Sequence, residues 1–391
     1  MFLYDHLGGR KYLPATRTLD LKKNEAGKVL KPEFKKGFEY SDCWVEDSRL
    51  VILNLRDAQR LGADLNPCTR VTQAIAINDQ WDVHVETQTG QKRLTASMVI
   101  NAAGPWVDEV LRTVFRVNDA KNVRLVRGSH IVVKKKFDHD QAYIFQNTDE
   151  RILFAIPYER DFTLIGTTDV EQSSLPAKPE ISKPEIDYLC EMANTYFAEP
   201  IQREDIIWTY SGVRPLYNDG ASKAQEATRD YVIRTEKNAG NGRLINIFGG
   251  KITTYRRLAQ AVMREVEKVL DDEPRTKVLS NALPGGDFSI HDFDDLVDEY
   301  VRQYSFLDRK IVYRLVRAYG KDAQVILREA GALKDLGEHF GHGLYEAEVR
   351  YLIKHEWAQG AEDILFRRSK LGIRMSADER QYLDQWLAKN A

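Results

Sequence analysis

Two cationic side chains stand where the surrounding residue types give a cation little company. Arg214 lies in Trp208-Thr209-Tyr210-Ser211-Gly212-Val213-Arg214-Pro215-Leu216, a stretch otherwise built of aromatic, β-branched and small residues. A charge on such a strand is costly unless paired, and the planar guanidinium fork suits two-point capture of a phosphate or carboxylate. Ligand binding and a buried structural ion pair are the two readings. Lys251 follows Ile245-Asn246-Ile247-Phe248-Gly249-Gly250, after which Leu258, Ala261, Val262, Val266 and Val269 recur at helical spacing. The pattern predicts a short buried strand, a glycine turn and a helix. A helix starting there aims unsatisfied N–H groups and the positive end of its dipole at what precedes it, which suits a phosphate or a flavin ring that gains negative charge on reduction. An ordinary strand-to-helix turn has the same pattern.

Other candidates are weaker. Arg229, between Thr228 and Asp230, is a second cation that Asp230 alone could neutralise. His130, after Gly128-Ser129, is the histidine expected nearest a site, although a strand histidine satisfied by its neighbours is the commoner outcome. His339-Phe340-Gly341-His342 offers two histidines without a third ligand at a recognisable interval, so a loop between helices is expected there and no metal site. Tyr210, Tyr231 and Tyr255 read as core or wall. Cys43, Cys68 and Cys190 are few, odd in number and free of CxxC spacing, which favours a reducing compartment.

The elements that must hold these residues follow from periodicity. Ser48 to Leu61 reads as a helix; Thr69–Ile77, Trp81–Thr87 and Arg93–Asn101 as a β-meander; His130–Val133, Ala142–Phe145, Ile152–Ile156 and Phe162–Thr168 as antiparallel strands interrupted by a helix from Lys183 to Phe197. Leu283-Pro284-Gly285-Gly286 marks a boundary, and beyond it helices are expected over Phe293–Tyr304, Arg309–Tyr319, Ala323–Glu329, Gly343–Glu356, Ala361–Arg368 and Ala377–Asn390. With 391 residues and a net charge of -2, the chain suits a soluble fold of two or three domains and offers nucleic acid no basic footprint. No apolar run approaches the roughly 20 residues a membrane span needs. The start, Met1-Phe2-Leu3-Tyr4-Asp5-His6, lacks a secretory pattern, so any membrane association is expected to be peripheral. Lys22, Lys23, Lys28, Lys31, Lys35 and Lys36 form either a solvated loop or a basic patch for anionic lipid.

Several long runs carry a resemblance: Lys36-Gly37-Phe38-Glu39-Tyr40-Ser41-Asp42-Cys43-Trp44, Val99-Ile100-Asn101-Ala102-Ala103-Gly104-Pro105-Trp106, Arg127-Gly128-Ser129-His130, Ile165-Gly166-Thr167-Thr168-Asp169, the Arg214 and Lys251 stretches, Thr228-Arg229-Asp230-Tyr231, His355-Glu356-Trp357, Asp363 and Arg367-Arg368. Together they cover nearly the whole chain, which resembles the D-amino-acid-oxidase-like flavoprotein superfamily and, within it, the aerobic FAD-dependent glycerol-3-phosphate dehydrogenases. The resemblance implies a mixed α/β (α+β) chain: a Rossmann-like FAD-binding layer with a β-meander over 1–122 and 243–275, an inserted antiparallel-sheet substrate domain over 123–242, and a helical cap over 283–391. It implies FAD near Val71, Ala102, Ala103, Gly104, Gly249, Gly250, Lys251, Ile252 and Thr253, with the substrate phosphate on Arg214 and Arg229 and Lys251 beside the reacting carbon. Glycerol 3-phosphate would become dihydroxyacetone phosphate, with electrons passing to ubiquinone or menaquinone at the inner face of the cell membrane, and a homodimer stays open. No GxGxxG occurs, so the resemblance also implies a chain shortened by about one nucleotide-binding unit, without the family's candidate proton acceptor. An amino-acid oxidase of the superfamily and a non-catalytic remnant that cannot retain FAD are the alternatives.

Overall fold

A computed structural model describes residues 13–147, 149, 151–220, 230–237, 242–270 and 281–390. They divide into two compact units, one within Met1–Cys43 and Cys68–Lys277, the other within Trp44–Pro67 and Val278–Ala391.

The first unit opens with a two-stranded ribbon, β1 (Arg17–Asp20) and β2 (Lys36–Glu39). Strands β3 (Arg70–Ile77), β4 (Gln80–Thr87) and β5 (Gly90–Ala96) then form the expected antiparallel meander. The third expected strand, Arg93–Asn101, is two strands in the structure. The polar, exposed β5 stays in the meander, whereas β6 (Met98–Asn101) leaves it to run parallel to the apolar β14 (Arg243–Gly249), whose other neighbour is β13 (Tyr231–Lys237). Trp81, Val83 and Val85 of β4 pack on Val107 and Leu111 of helix α2 (Val107–Thr113) and on Leu244 and Phe248 of β14. Complete burial of an aliphatic or aromatic side chain of this size contributes about 1.5–3 kcal/mol.

The large sheet is six-stranded. β7 (Val123–Lys134) lies between β10 (Phe162–Gly166) and β12 (Ile206–Tyr217), with β8 (Tyr143–Gln146), β9 (Ile152–Tyr158) and β11 (Val170–Gln172) completing it, all antiparallel. One face is covered by α3 (Lys183–Tyr196), whose Leu189, Cys190 and Ala193 meet Ile131, Val133, Leu153, Ala155 and Ile165. Glu185, the third residue of α3, accepts from the Ser182 backbone N–H at 2.8 Å and so caps the helix start. Helix α4 (Tyr255–Leu270) follows the glycine turn after β14, separated from it by a 3-10 turn over Ile252–Thr254.

The second unit is helical around one apolar core that includes Val297, Tyr300, Val312, Leu344, Leu352 and Ile364. Its α5 (Phe293–Gln303), α6 (Arg309–Tyr319), α7 (Ala323–Leu327), α8 (Glu346–Glu356) and α9 (Ala377–Asn390) fall where the periodicity predicts helices. Two details differ. Ala361–Arg368 contains a π-helical turn over Asp363–Arg368, and the expected loop at His339–His342 is part of a short hairpin, His339–Gly341 with Leu344–Tyr345. Helix α1 (Asp47–Arg60), which the sequence reading placed in the layer over 1–122, packs in this second unit. There Ile52 is buried, Arg49 is forked with Glu356, whose side chain is wholly buried, and Arg56 pairs with Asp322 at 2.9 Å. Among the described residues no helix is long and apolar enough to cross a membrane, and no group of acidic, histidine and cysteine residues could hold a metal ion.

Candidate functional site

Strands β7 and β12 are paired so that His130 faces Tyr210, Gly128 faces Gly212 and Val126 faces Arg214. Residues at alternate positions share a face, so these six side-chain positions lie on one side of the sheet. Neither glycine contributes a side chain, and the Arg214 guanidinium lies in the notch: a Cβ on Gly128 would stand 2.7 Å from Cζ. Arg214 Nη1 donates to Asp169 Oδ1 at 2.5 Å and to the Thr168 carbonyl at 3.3 Å, while Nη2 donates to Thr167 Oγ1 at 3.0 Å. Its side chain is 38% exposed. An arginine carries five N–H donors, so Nε–H and the second Nη2–H remain without a partner among the described residues, and these two form a fork of the kind that grips two oxygens of one anion. Arg214 thus forms an ion pair with Asp169 that is partly exposed rather than buried, and keeps a donor pair to spare.

Beside the notch stand aromatic rings. His130 is stacked on Tyr210 with centroids 4.8 Å apart and planes at 8°, and Trp208 stacks on Tyr210 at 5.2 Å. Gly166 gives His130 its place, since a Cβ there would come 2.7 Å from the ring Cγ. Tyr210 is thus wall, one of the two places expected for it.

The glycine turn abuts the end of the arginine strand. Gly249 has φ 70° and Gly250 φ 99°, conformations that favour glycine, and a Cβ on Gly249 would stand 3.0 Å from the Asp230 carbonyl oxygen and 3.5 Å from that of Pro215. Pro215 directly follows Arg214, so the turn and the arginine strand are brought together. Lys251 is exposed and extended, with φ -109° and ψ 150°, and leads into the 3-10 turn; Ile252 and Thr253 are exposed beside it.

The parallel strands β6 and β14 end together, Asn101 opposite Asn246. Asn101 Nδ2 donates to Asn246 Oδ1 at 3.1 Å and to the Val107 carbonyl at 3.2 Å, and buried Asn246 Nδ2 has no hydrogen-bond partner among the described residues. Past these ends come small residues. Gly104 has φ 56° and open space where a Cβ would stand. Val71, Ala102 and Ala103 line one cavity of about 560 Å³ together with Ile100, Asn101 and Trp106, while Gly104, Gly249, Gly250, Lys251, Ile252 and Thr253 are not among its walls. Ligands of parallel sheets bind outside the carboxyl ends of the strands. Small side chains, positive-φ glycines and an unused buried amide donor at that place fit a flavin nucleotide.

Arg229 lies outside the described residues. Three groups stood in the sequence only within the runs that carry the resemblance, with no role assigned: Thr167 and Asp169, which hold Arg214, and Gly128, which makes room for it. Asp169 is 45 residues before Arg214 in sequence, and no local spacing links them.

Comparison with known proteins agrees with this architecture. The family model described as FAD dependent oxidoreductase matches residues 3–256, and that of the C-terminal domain of alpha-glycerophosphate oxidase matches residues 276–388. The aerobic glycerol-3-phosphate dehydrogenase of Escherichia coli (strain K12) is 42% identical over 391 residues, 100% of this chain and 77% of that protein. The D-erythritol 1-phosphate dehydrogenase of Brucella abortus (strain 2308) is likewise 42% identical, over 388 residues, 99% of this chain and 77% of that protein. The structure of the Bacillus halodurans glycerol-3-phosphate dehydrogenase complexed with FAD shares the fold, with a TM-score of 0.76 over 95% of this chain and 78% of that one at 24% identity. On the family match along the first two thirds of the sequence, and on relatives this similar along its whole length, the chain belongs to the FAD-dependent oxidoreductases, as a flavoprotein of the group that includes the aerobic glycerol-3-phosphate dehydrogenases.

Proposed function

We propose that this chain serves the FAD-dependent oxidation of a short polyol phosphate, sn-glycerol 3-phosphate to dihydroxyacetone phosphate, with electrons passed on to a membrane quinone. The observation that carries the reading is the Arg214 fork, held by Thr167, Thr168 and Asp169 and set beside the glycine turn. FAD, when bound, supplies the two-electron acceptor for the alcohol carbon. Arg214, with Arg229 as a second cation, binds the phosphate. Lys251 favours negative charge near the reacting carbon, and the stacked Trp208, Tyr210 and His130 wall off water on one side of the notch. For the cofactor we assign Val71, Ala102, Ala103 and Gly104 at the ends of the meander and β6, and Gly249, Gly250, Lys251, Ile252 and Thr253 at the turn. The division of labour is positioning and charge stabilisation by the protein, electron transfer by the cofactor.

Two features of the relatives bear on the substrate. A D-erythritol 1-phosphate dehydrogenase and a glycerol-3-phosphate dehydrogenase are equally similar to this chain, which supports the polyol phosphate class and makes D-erythritol 1-phosphate the second substrate to try. We further propose docking at the inner face of the cell membrane; among the described residues no helix is long and apolar enough to span it. Lysines between β1 and β2 and at the start of β2 are the candidate contact; Lys28 pairs with Glu25 and Lys23 with Asp20, leaving Lys22, Lys31, Lys35 and Lys36 as its cationic side chains.

The deciding experiment is anaerobic bleaching of the flavin absorbance in protein reconstituted with FAD. Bleaching by sn-glycerol 3-phosphate supports the reading, bleaching by D-erythritol 1-phosphate alone shifts it to the longer polyol, and bleaching by small amino acids alone overturns it. A folded chain that neither keeps nor takes up FAD overturns enzymatic function for this polypeptide.

A further inference from the structure

Behind the sheet, on the face opposite Arg214, the carboxylate that caps α3 is buried and makes more bonds than a cap needs. Gly128 marks the Arg214 side of β7, so its neighbours Arg127 and Ser129 point the other way, toward α3. There both meet Glu185, which is 5% exposed. Its two oxygens serve different partners. Oε2 accepts from the Ser182 N–H at 2.8 Å, the Ser182 hydroxyl at 2.7 Å and Arg127 Nη2 at 2.6 Å. Oε1 accepts from the Ser129 hydroxyl at 2.8 Å and the Thr168 hydroxyl at 2.7 Å. Thr168 Oγ1 in turn accepts from the Ser129 N–H at 3.0 Å, so the segment is tied to β7 twice.

Thr168 is the middle of the three residues that hold Arg214. Thr167 and Asp169 contact the guanidinium with their side chains and Thr168 with its carbonyl, while the Thr168 side chain points back to Glu185. We infer that Glu185 is a positioning residue, whose carboxylate reaches through the sheet by way of Thr168 and fixes the Thr167–Asp169 segment, and with it the angle at which Arg214 offers its fork to the substrate phosphate. The inference rests on the reading of Arg214 as the phosphate ligand. A helix cap alone would engage only Oε2; the bonds at Oε1 leave α3 and run to the strand and segment next to the site. Two oppositely charged anchors thus set the segment from its two faces, Glu185 behind and Arg214 in front. A charge-assisted hydrogen bond is directional enough that its loss moves what it held.

The test compares three variants of the FAD-loaded protein with sn-glycerol 3-phosphate as the probe. Thr168→Val removes the Oε1 link together with the acceptor of the Ser129 N–H, Glu185→Gln leaves that Ser129 bond in place and supplies a single acceptor oxygen where two are used, and Ser182→Ala removes a donor from the Oε2 side only. Thr168→Val and Glu185→Gln are expected to raise KM about tenfold, the worth of one hydrogen bond to a charged group, with kcat changed much less. Ser182→Ala is expected to lower Tm and leave KM in place. In an Arg214→Ala background, Thr168→Val should add nothing further to KM. If Arg214→Ala raises KM while Thr168→Val and Glu185→Gln do not, or if Thr168→Val acts equally in the Arg214→Ala background, the positioning role is wrong and the phosphate reading stands. If Arg214→Ala itself leaves KM unchanged, the phosphate reading falls and the positioning role with it. Thr168→Val keeps the Glu185–Arg127 pair, so it reports even if Glu185→Gln fails to fold.

Discussion

The guanidinium of Arg214 lies across Gly128, a residue directly behind it on the neighbouring strand, at a distance that leaves no space for a methyl group: a Cβ there would be 2.7 Å from Cζ and from Nη1. The glycine is therefore required by a side chain 86 positions away in sequence and not by its own backbone angles. Gly128→Ala should displace the guanidinium while the strands stay paired. The expected result is a rise in KM for sn-glycerol 3-phosphate of about tenfold or more, from a shift on the order of 1 Å in a binding group. An unchanged KM in a folded variant would mean the guanidinium does not bind substrate from its present place.

Arg214 and Lys251 should fail differently when removed. Arg214→Ala is expected to cost about 2–4 kcal/mol in kcat/KM, chiefly through KM, because a charged contact to the phosphate is lost. Lys251→Ala should slow flavin reduction in single-turnover experiments more than it weakens binding. The reverse pattern would make Lys251 a binding residue only.

In the second unit, Arg49 of α1 and Glu356 of α8 form a forked pair whose side chains are 6% and 0% exposed. Burial opposes the charge on Arg49, but the Glu356 carboxylate outweighs it and holds the guanidinium above its ordinary pKa. Arg49→Ala leaves a buried carboxylate short of its main partner and should destabilise this unit by about 3–5 kcal/mol. Arg49→Met combined with Glu356→Leu should recover most of that, because an apolar pair of similar volume needs no desolvation of charge. Urea denaturation followed by tryptophan fluorescence distinguishes the two; equal losses would show that the pair does not act as a unit.

Acid should act on the first unit through Glu185. Burial raises this carboxyl, but hydrogen bonds from Ser182, Thr168 and Ser129 outweigh that effect and bring it down to about 2, from an ordinary value of 4.5. A depressed folded-state pKa gives stability that is present above the unfolded-state value and lost as pH falls toward the folded one. The stability gap between the natural protein and Glu185→Gln should therefore be widest above pH 4.5 and shrink toward pH 2, by an amount on the order of 3 kcal/mol. A gap independent of pH across that window would show that the carboxylate is not preferentially ionised in the folded state.

Much of this is legible in the amino-acid sequence. Helix α6 lies at the residues its periodicity predicts, Arg309–Tyr319, and so does α9, because an amphipathic stripe reports local geometry directly. The strand, glycine turn and helix around Gly249 and Gly250 were legible for the same reason, as hydrophobic spacing and positive-φ glycine are both local properties. The break between β5 and β6 was not: both stretches have strand-forming composition, and only the parallel partner Arg243–Asn246 decides that the chain leaves the meander at Ser97. Helix α1 was read correctly as a helix and grouped with its sequence neighbours. Its partner Glu356 lies 307 residues further along the chain, beyond the reach of any pattern within α1.

The amino-acid sequence by itself determined the elements, their polarity and the residue types available for chemistry, since these depend on side-chain volume, periodicity and charge within a few residues. It also placed Arg214 on a strand that could not leave it unpaired. Only the tertiary structure decided what pairs it, Thr167, Thr168 and Asp169, that Gly128 yields it space, and that Thr168 is bonded in turn to Glu185 behind the sheet. Those partners come from the link between β10 and β11, from β7 and from a helix, brought together by the pairing of β7 with β10 and β12 and by the packing of α3, and such register depends on burial of a shared core, which no single segment contains.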